Sequence, residues 1–226
     1  MQKKLTAALA LALLVSCGAA ALADAAETAA PGQDGPVVLT EAELAQGYSF
    51  AKRTEGNFQL SYPVFNYNGK ASVKINNDIQ KTIARFMSYY FNNEDVTGWI
   101  ESDVVYNGED YVSVQMDMSH YFKGAAHPMH YAHAMVYDKK TGKRMKVKNF
   151  MSLPKPEELD AAVRRGEVPL LAASGERIEL GDFFDVRSIS SQFIVDDKEL
   201  KLVYSPYDLG PYAVGTTYLV FPLPQK

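Results

Sequence analysis

Between positions 75 and 90 the side chains Ile75, Ile79, Ile83, Phe86, Met87 and Tyr90 recur at intervals of three and four, opposite Lys74, Asn77, Asp78, Lys81 and Arg85. That spacing predicts a helix over residues 71–91 with one apolar stripe, and such a stripe needs an apolar surface to cover it. Strands supply that surface. In residues 58–65, Phe58, Leu60, Tyr62 and Val64 alternate with Gln59 and Ser61, and Pro63 marks this strand as an edge. Residues 100–106 and 111–122 flank Asn107-Gly108, a dipeptide that tolerates positive φ at both central turn positions, so a hairpin is expected with Val112, Val114, Met116 and Met118 on one face. A second hairpin is expected from residues 131–138 and 143–148 around Lys139-Lys140-Thr141-Gly142. Then come a helix over residues 156–165 with Pro156 in its first turn, an irregular stretch to Gly181, strands at 192–196 and 199–204, and a last strand at 216–221. Strands joined by turns rather than crossovers make the fold α+β, antiparallel sheets with helices packed on one face.

The N-terminus reads as an export leader. Lys3 and Lys4 precede an apolar run at residues 5–16, which at 12 residues is too short to span a bilayer. Two exits fit it. Ala21-Leu22-Ala23 has the small-x-small form of a signal peptidase site, giving a signal peptide of residues 1–23, whereas Leu14-Val15-Ser16-Cys17 has the form of a lipobox in which Cys17, the sole cysteine, becomes lipidated after residues 1–16 are removed. Either places the protein outside the cytoplasm, periplasmic, at the cell surface or secreted. Residues 24–47, rich in Ala, Gly, Pro and acidic side chains, read as a flexible tether. Without Lys3 and Lys4 the chain keeps 21 basic against 27 acidic side chains, a net charge of −6 that gives it no reason to seek nucleic acid.

Candidate chemistry concentrates in the histidines, all four of which lie between His120 and His133, with His127 and His130 between them. Clustered imidazoles are what a transition-metal site requires, so a metal-dependent hydrolase is an alternative function. Strand alternation argues against it, since His133 and His130 would face opposite ways. No H-E-x-x-H, G-x-S-x-G or phosphate-cradling loop occurs. The expectation is therefore no catalytic residue, no metal and no cofactor. Aromatic side chains say more: Tyr207 to Gly215 packs Tyr207, Gly210, Pro211, Tyr212 and Gly215 into nine residues between strands, the composition of a rigid loop near the surface.

Read together, Tyr121 with Gly124-Ala125-Ala126-His127-Pro128, then Tyr137-Asp138-x-x-Thr141-Gly142-Lys143, and Tyr207-Asp208-Leu209-x-Pro211-Tyr212-Ala213-x-Gly215 resemble, in order and spacing, the C-terminal domain of RsiV-type extracytoplasmic sensors. The strand at Tyr62-Pro63 and the helix at Ile75-Asn76 resemble the companion segment that those proteins share with PdaC-type cell-wall deacetylases. The resemblance covers residues 48–224. It departs at Ala125, where the family has a second glycine, and the chain has neither the anti-sigma segment nor the deacetylase domain. It implies an N-terminal segment at 48–125, a C-terminal domain at 126–226, and a noncatalytic binding or sensing role at the cell envelope. The binding residues it implies are Gly124, His127, Pro128, Tyr207, Pro211, Tyr212 and Gly215. The implied partner is an envelope protein or glycan, lysozyme being the partner of one branch, and the membrane is met only through a lipid anchor on Cys17. A structural envelope lipoprotein is the remaining alternative.

Overall fold

The computed structural model describes residues 41–67, 69–90 and 93–224, so the leader, Cys17 and most of the tether lie outside the described residues. The described residues form one compact unit. The tether expected to reach residue 47 ends earlier, because Glu41–Gln46 forms a short helix, α1. It leads into β1, Tyr48–Glu55, which pairs antiparallel along the whole of β2, Phe58–Phe65.

The predicted amphipathic helix is α2, Gly69–Ser88, with Ile75, Ile79, Ile83 and Met87 buried. Complete burial of such side chains contributes about 1.5–3 kcal/mol each. It carries the chain over to β3, Val96–Asn107, which lies parallel to β2, the pairing a crossover helix permits. β3 pairs antiparallel with β4, Tyr111–Phe122, and β4 with β5, Met129–Asp138, completing a five-stranded sheet in the order β1-β2-β3-β4-β5. The apolar stripe of α2 lies on the sheet face made by Phe58, Leu60, Ile100, Val112, Val114, Met116 and Met118.

The second sheet is smaller. After α3, Pro156–Arg164, come β6 (Leu170–Leu171), β7 (Arg177–Ile178), β8 (Phe193–Val195), β9 (Glu199–Tyr204) and β10 (Thr217–Pro222), in the order β7-β6-β10-β9-β8. Leu159 and Val163 of α3 close its core over Leu170, Leu200, Leu202, Leu219 and Phe221. The expected α+β class with antiparallel sheets is observed, the β2–β3 pair being the one parallel pairing among the described residues.

Four local expectations are corrected. β2 is an interior strand, although its pairing with β3 stops at Ser61, so Pro63 sits where only β1 accompanies it. Neither Asn107 nor Gly108 has positive φ. The glycine is there for space instead: a Cβ on Gly108 would stand 2.3 Å from the Tyr106 hydroxyl. Beyond Gly142 the second hairpin shrinks to a single Tyr137–Arg144 bridge, because Arg144 turns away to Asp78 and Thr82 on α2. The stretch to Gly181, expected to be irregular, contributes β6 and β7, two-residue strands pinned by β10.

The first sheet takes in β5, so the sheets part between Asp138 and Leu170, downstream of the division drawn between residues 125 and 126. Where β5 faces the second sheet, its outer edge is capped by side chains. The Ala132 N–H donates to Ser205 Oγ at 3.1 Å and the Ala134 N–H to Gln192 Oε1 at 2.9 Å, leaving no bare edge there for another strand.

Candidate functional site

Two loops meet at the N-terminal end of β5. The turn after β4 is shaped by Gly124 at φ +88°, with the Ala125 N–H donating to Phe122 O and the Tyr121 hydroxyl to Ala125 O. Ala125, where the second glycine of the resemblance would stand, has no positive φ. This turn delivers His127 and Pro128. From the second sheet, residues 205–216 fold back: the Ser205 N–H donates to Asp208 Oδ2, Pro211 leads into a single 3-10 turn at Tyr212–Val214, and Gly215 at φ +73° ends it.

The two loops interlock through rings. The His127 imidazole stacks on Tyr212 with centroids 4.0 Å apart, and Tyr207 lies 5.6 Å from Tyr212. His127 Nδ1 is 2.8 Å from Pro128 O, a group that only accepts, so Nδ1 carries the proton and donates. The opposite nitrogen, Nε2, is then free to accept from the Tyr207 hydroxyl at 3.3 Å. Tyr212 donates its hydroxyl to the same Pro128 carbonyl at 2.8 Å. Burial, with Tyr207 and Asp117 nearby, raises the Tyr212 hydroxyl above its ordinary pKa, so it stays a neutral donor.

Tyr207 is the only non-glycine described residue with positive φ, at +74°, and its side chain is 48% exposed. A side chain in that region costs on the order of 1–2 kcal/mol, and exposure returns little of it through burial. Beside it lies a cleft of about 430 Å³ lined by Phe183, Arg187, Ser190, Tyr204 and Tyr207. Phe183 on this cleft is 93% exposed.

His130 follows on β5, its ring 6.0 Å from Tyr212. Strand register puts it opposite Ser119 of β4. Its Nδ1 lies 2.8 Å from Ser119 Oγ and 3.1 Å from Asp117 Oδ1, while Ser119 donates to Asp117 Oδ1 at 2.6 Å. This is a Ser, His and Asp set in composition only. A nucleophilic relay uses the two imidazole nitrogens for the two partners, whereas here hydroxyl and carboxylate share one nitrogen. On the neighbouring strand Glu101 stands directly across from Asp117, like charges facing each other on the open side of the sheet.

The other histidines go elsewhere. His133 faces α2 and His120 is stacked against Tyr90, so no group of three or more His, Cys, Asp or Glu side chains suited to a metal ion occurs among the described residues. Of the sequence-predicted residues, His127 and Tyr212 contact each other and each meets Pro128 and Tyr207, Pro211 leads into the turn of Tyr212, and Gly124 and Gly215 shape the two loops. Ser119 and Phe183 went unnoticed in the sequence. Asp117 and Ser119 two apart in a strand already share a face, but only the register of β4 on β5 shows what they meet.

The fold and these contacts can be compared with known proteins. Residues 162–223 match the family model DUF3298, described as a protein of unknown function. That stretch runs from the end of α3 through β10 and includes Tyr207, Pro211, Tyr212 and Gly215. A DUF3298 family protein of Pseudomonas aeruginosa PAO1 is similar in fold, with TM-score 0.51 and 10% identity over 77% of this chain and 88% of its own. A member of the same family from Bacteroides fragilis matches with TM-score 0.49 and 13% identity over the same shares. No curated protein matches.

Proposed function

We propose that the chain is a noncatalytic recognition domain of the cell envelope, RsiV-like in its C-terminal half, whose partner docks on the surface formed by His127, Pro128, Tyr207, Pro211 and Tyr212. The observation that carries this reading is Tyr207, an exposed aromatic in a strained backbone conformation whose hydroxyl is tied to His127. Strain held at an exposed residue is a recurrent mark of a site that serves a ligand rather than the fold. The exposed rings of Tyr207 and Phe183 offer contact area with few rotors to freeze, the chemistry of interface hot spots. Recognition is favoured over turnover because the His130, Ser119 and Asp117 set lacks relay geometry. The facing Glu101 and Asp117 carboxylates, with the net charge of −6 on a processed chain, favour a basic partner such as lysozyme, steered by long-range attraction. The leader carries the domain out of the cytoplasm, and lipidation of Cys17 would hold it at a membrane.

The test is capture by immobilised protein, from envelope extract and separately from a lysozyme solution. Wild type is expected to retain a partner, with retention falling as salt is raised, and Tyr212→Ala to retain at least about tenfold less, the effect of losing one hot-spot side chain. Nothing retained by wild type, or equal retention by the variant, defeats the reading. Intact mass of the exported protein separates a diacylated Cys17 from a chain beginning at Asp24.

A further inference from the structure

On the other face of β5, away from the loops just described, a groove of about 380 Å³ runs between the C-terminal half of α2 and the strand. Its walls are Phe86 from α2, Tyr89 and Tyr90 from the turn that follows it, and Tyr131 and His133 from β5, with Met118 between them. The rings form an open array: Phe86 meets Tyr131 at 6.0 Å and 64°, and Tyr90 at 5.5 Å and 64°. Tyr89 is 73% and Tyr131 39% exposed, so part of this aromatic surface is left to water. A pocket of this size with predominantly aromatic walls falls in the range of small-molecule sites.

Polar groups without partners converge on the same place. His133, a wall of the groove, has a buried Nε2 with no hydrogen-bond partner. His120 lies behind the wall, stacked on Tyr90 at 4.2 Å and parallel to Tyr131 at 5.8 Å, and its buried Nδ1 also lacks a partner. A buried orphan of this kind carries its full desolvation penalty until a partner reaches it. Burial keeps both imidazoles uncharged at neutral pH. Charge adds the last constraint. Arg85 lies on the rim and is in no salt bridge among the described residues, and no acidic side chain lines the groove. Arg144, in contrast, is already paired with Asp78.

We propose that this groove binds a small aromatic carboxylate, its ring inserted among Phe86, Tyr89, Tyr90 and Tyr131 and its carboxylate held by Arg85. An aromatic ring continues the edge-to-face array, and the guanidinium gives a charge-assisted contact that a neutral analogue cannot match. The site is independent of the docking surface at Tyr207 and Tyr212, so either can fail without the other.

The experiment uses the exported chain and two probes, phenylacetate and its neutral amide phenylacetamide, followed by amide chemical shifts and titration calorimetry. Phenylacetate is expected to shift the Tyr131 and His133 resonances with millimolar affinity or better, and the amide to bind about fivefold or more weakly, a difference of about 1 kcal/mol. Arg85→Gln is expected to erase the difference between acid and amide, and Tyr131→Ala to weaken both probes. Both side chains lie at the surface of the groove, so the variants should fold, and an unchanged far-UV spectrum checks that they do. The proposal is overturned by an absence of shifts at Tyr131 and His133 up to about 10 mM phenylacetate, a concentration that fills any millimolar site. Equal affinity for the two probes, or an acid preference that survives Arg85→Gln, overturns it as well.

Discussion

At the scale of single residues, two side chains are held where the fold alone does not reward them. Tyr207 sits at φ +74°, where glycine would rest without strain, and its ring is half in water. Tyr207→Gly should therefore raise stability by up to about 1 kcal/mol, measured by urea unfolding, while partner retention falls. A variant that loses stability would show that the ring is structural and that its conformation serves packing. His133 is held the opposite way, by its protonation state. Burial, reinforced by the Arg144 charge and only partly offset by Asp78, pulls its pKa down to about 4 from 6.5. The unfolded chain therefore binds a proton that the folded chain refuses between those two values. The native state is favoured above pH 6.5 and progressively loses that advantage as pH falls toward 4, by at most about 1.4 kcal/mol per pH unit. His133→Gln should flatten the fall in unfolding midpoint between pH 7 and pH 4.5. An identical slope in both proteins would assign the acid sensitivity to other groups.

At the scale of elements, the hairpin turn after β5 shows why a motif can be legible while its role is not. Tyr137, Asp138, Thr141 and Gly142 belong to the resemblance, yet they build structure. Asp138 Oδ1 accepts from the Thr141 N–H at 2.7 Å, and the Tyr137 hydroxyl reaches Asp78 on α2 at 2.8 Å. Gly142, at φ +68°, passes so close to α2 that a Cβ would stand 2.4 Å from the Ala71 carbonyl oxygen. Gly124 has φ +88° with nothing within 4 Å of its Cβ position. Gly142→Ala should then cost clearly more than Gly124→Ala, for which only the backbone term of about 1–2 kcal/mol applies. Equal losses in urea unfolding would mean that the loop moves off α2 without penalty. The stripe of α2 and the alternation of β2 and β4 were legible because one face of each carries the apolar side chains of the first core and the period survives. β1 was not: its burial is irregular and its outer half carries Lys52, Arg53 and Glu55. β6 and β7 are too short to have a period and exist because β10 supplies their partner. The site was legible to the same degree. His127, Tyr207 and Tyr212 stood out by residue type, whereas Ser119 beside His130 depended on a strand register and Phe183 on the exposure of a loop.

At the scale of the molecule, the docking surface exists only while both sheets hold together, since His127 comes from one side and Tyr212 from the other. The joint is polar as well as apolar. Ser113, fully buried on β4, bonds both backbone groups of Val195 on β8, and the Tyr111 hydroxyl donates to Asp196 O at 2.9 Å. Ala132 and Ala134 pack against Val203, Ile194 and Tyr218. Separating the sheets would leave these groups unpaired and this apolar surface wet, so the two cores should unfold together. Trp99, the sole tryptophan, lies on β3 of the first sheet and reports on that sheet alone. Leu202 is fully buried in the core of the second. Leu202→Ala should cost about 2–5 kcal/mol, and in a cooperative molecule that loss appears in the Trp99 fluorescence midpoint although the substitution is in the other core. If the Trp99 transition stays where it is in wild type while the circular dichroism splits into two steps, the sheets are separate folding units. The His127–Tyr212 stack would then be a contact between neighbours rather than part of one rigid surface.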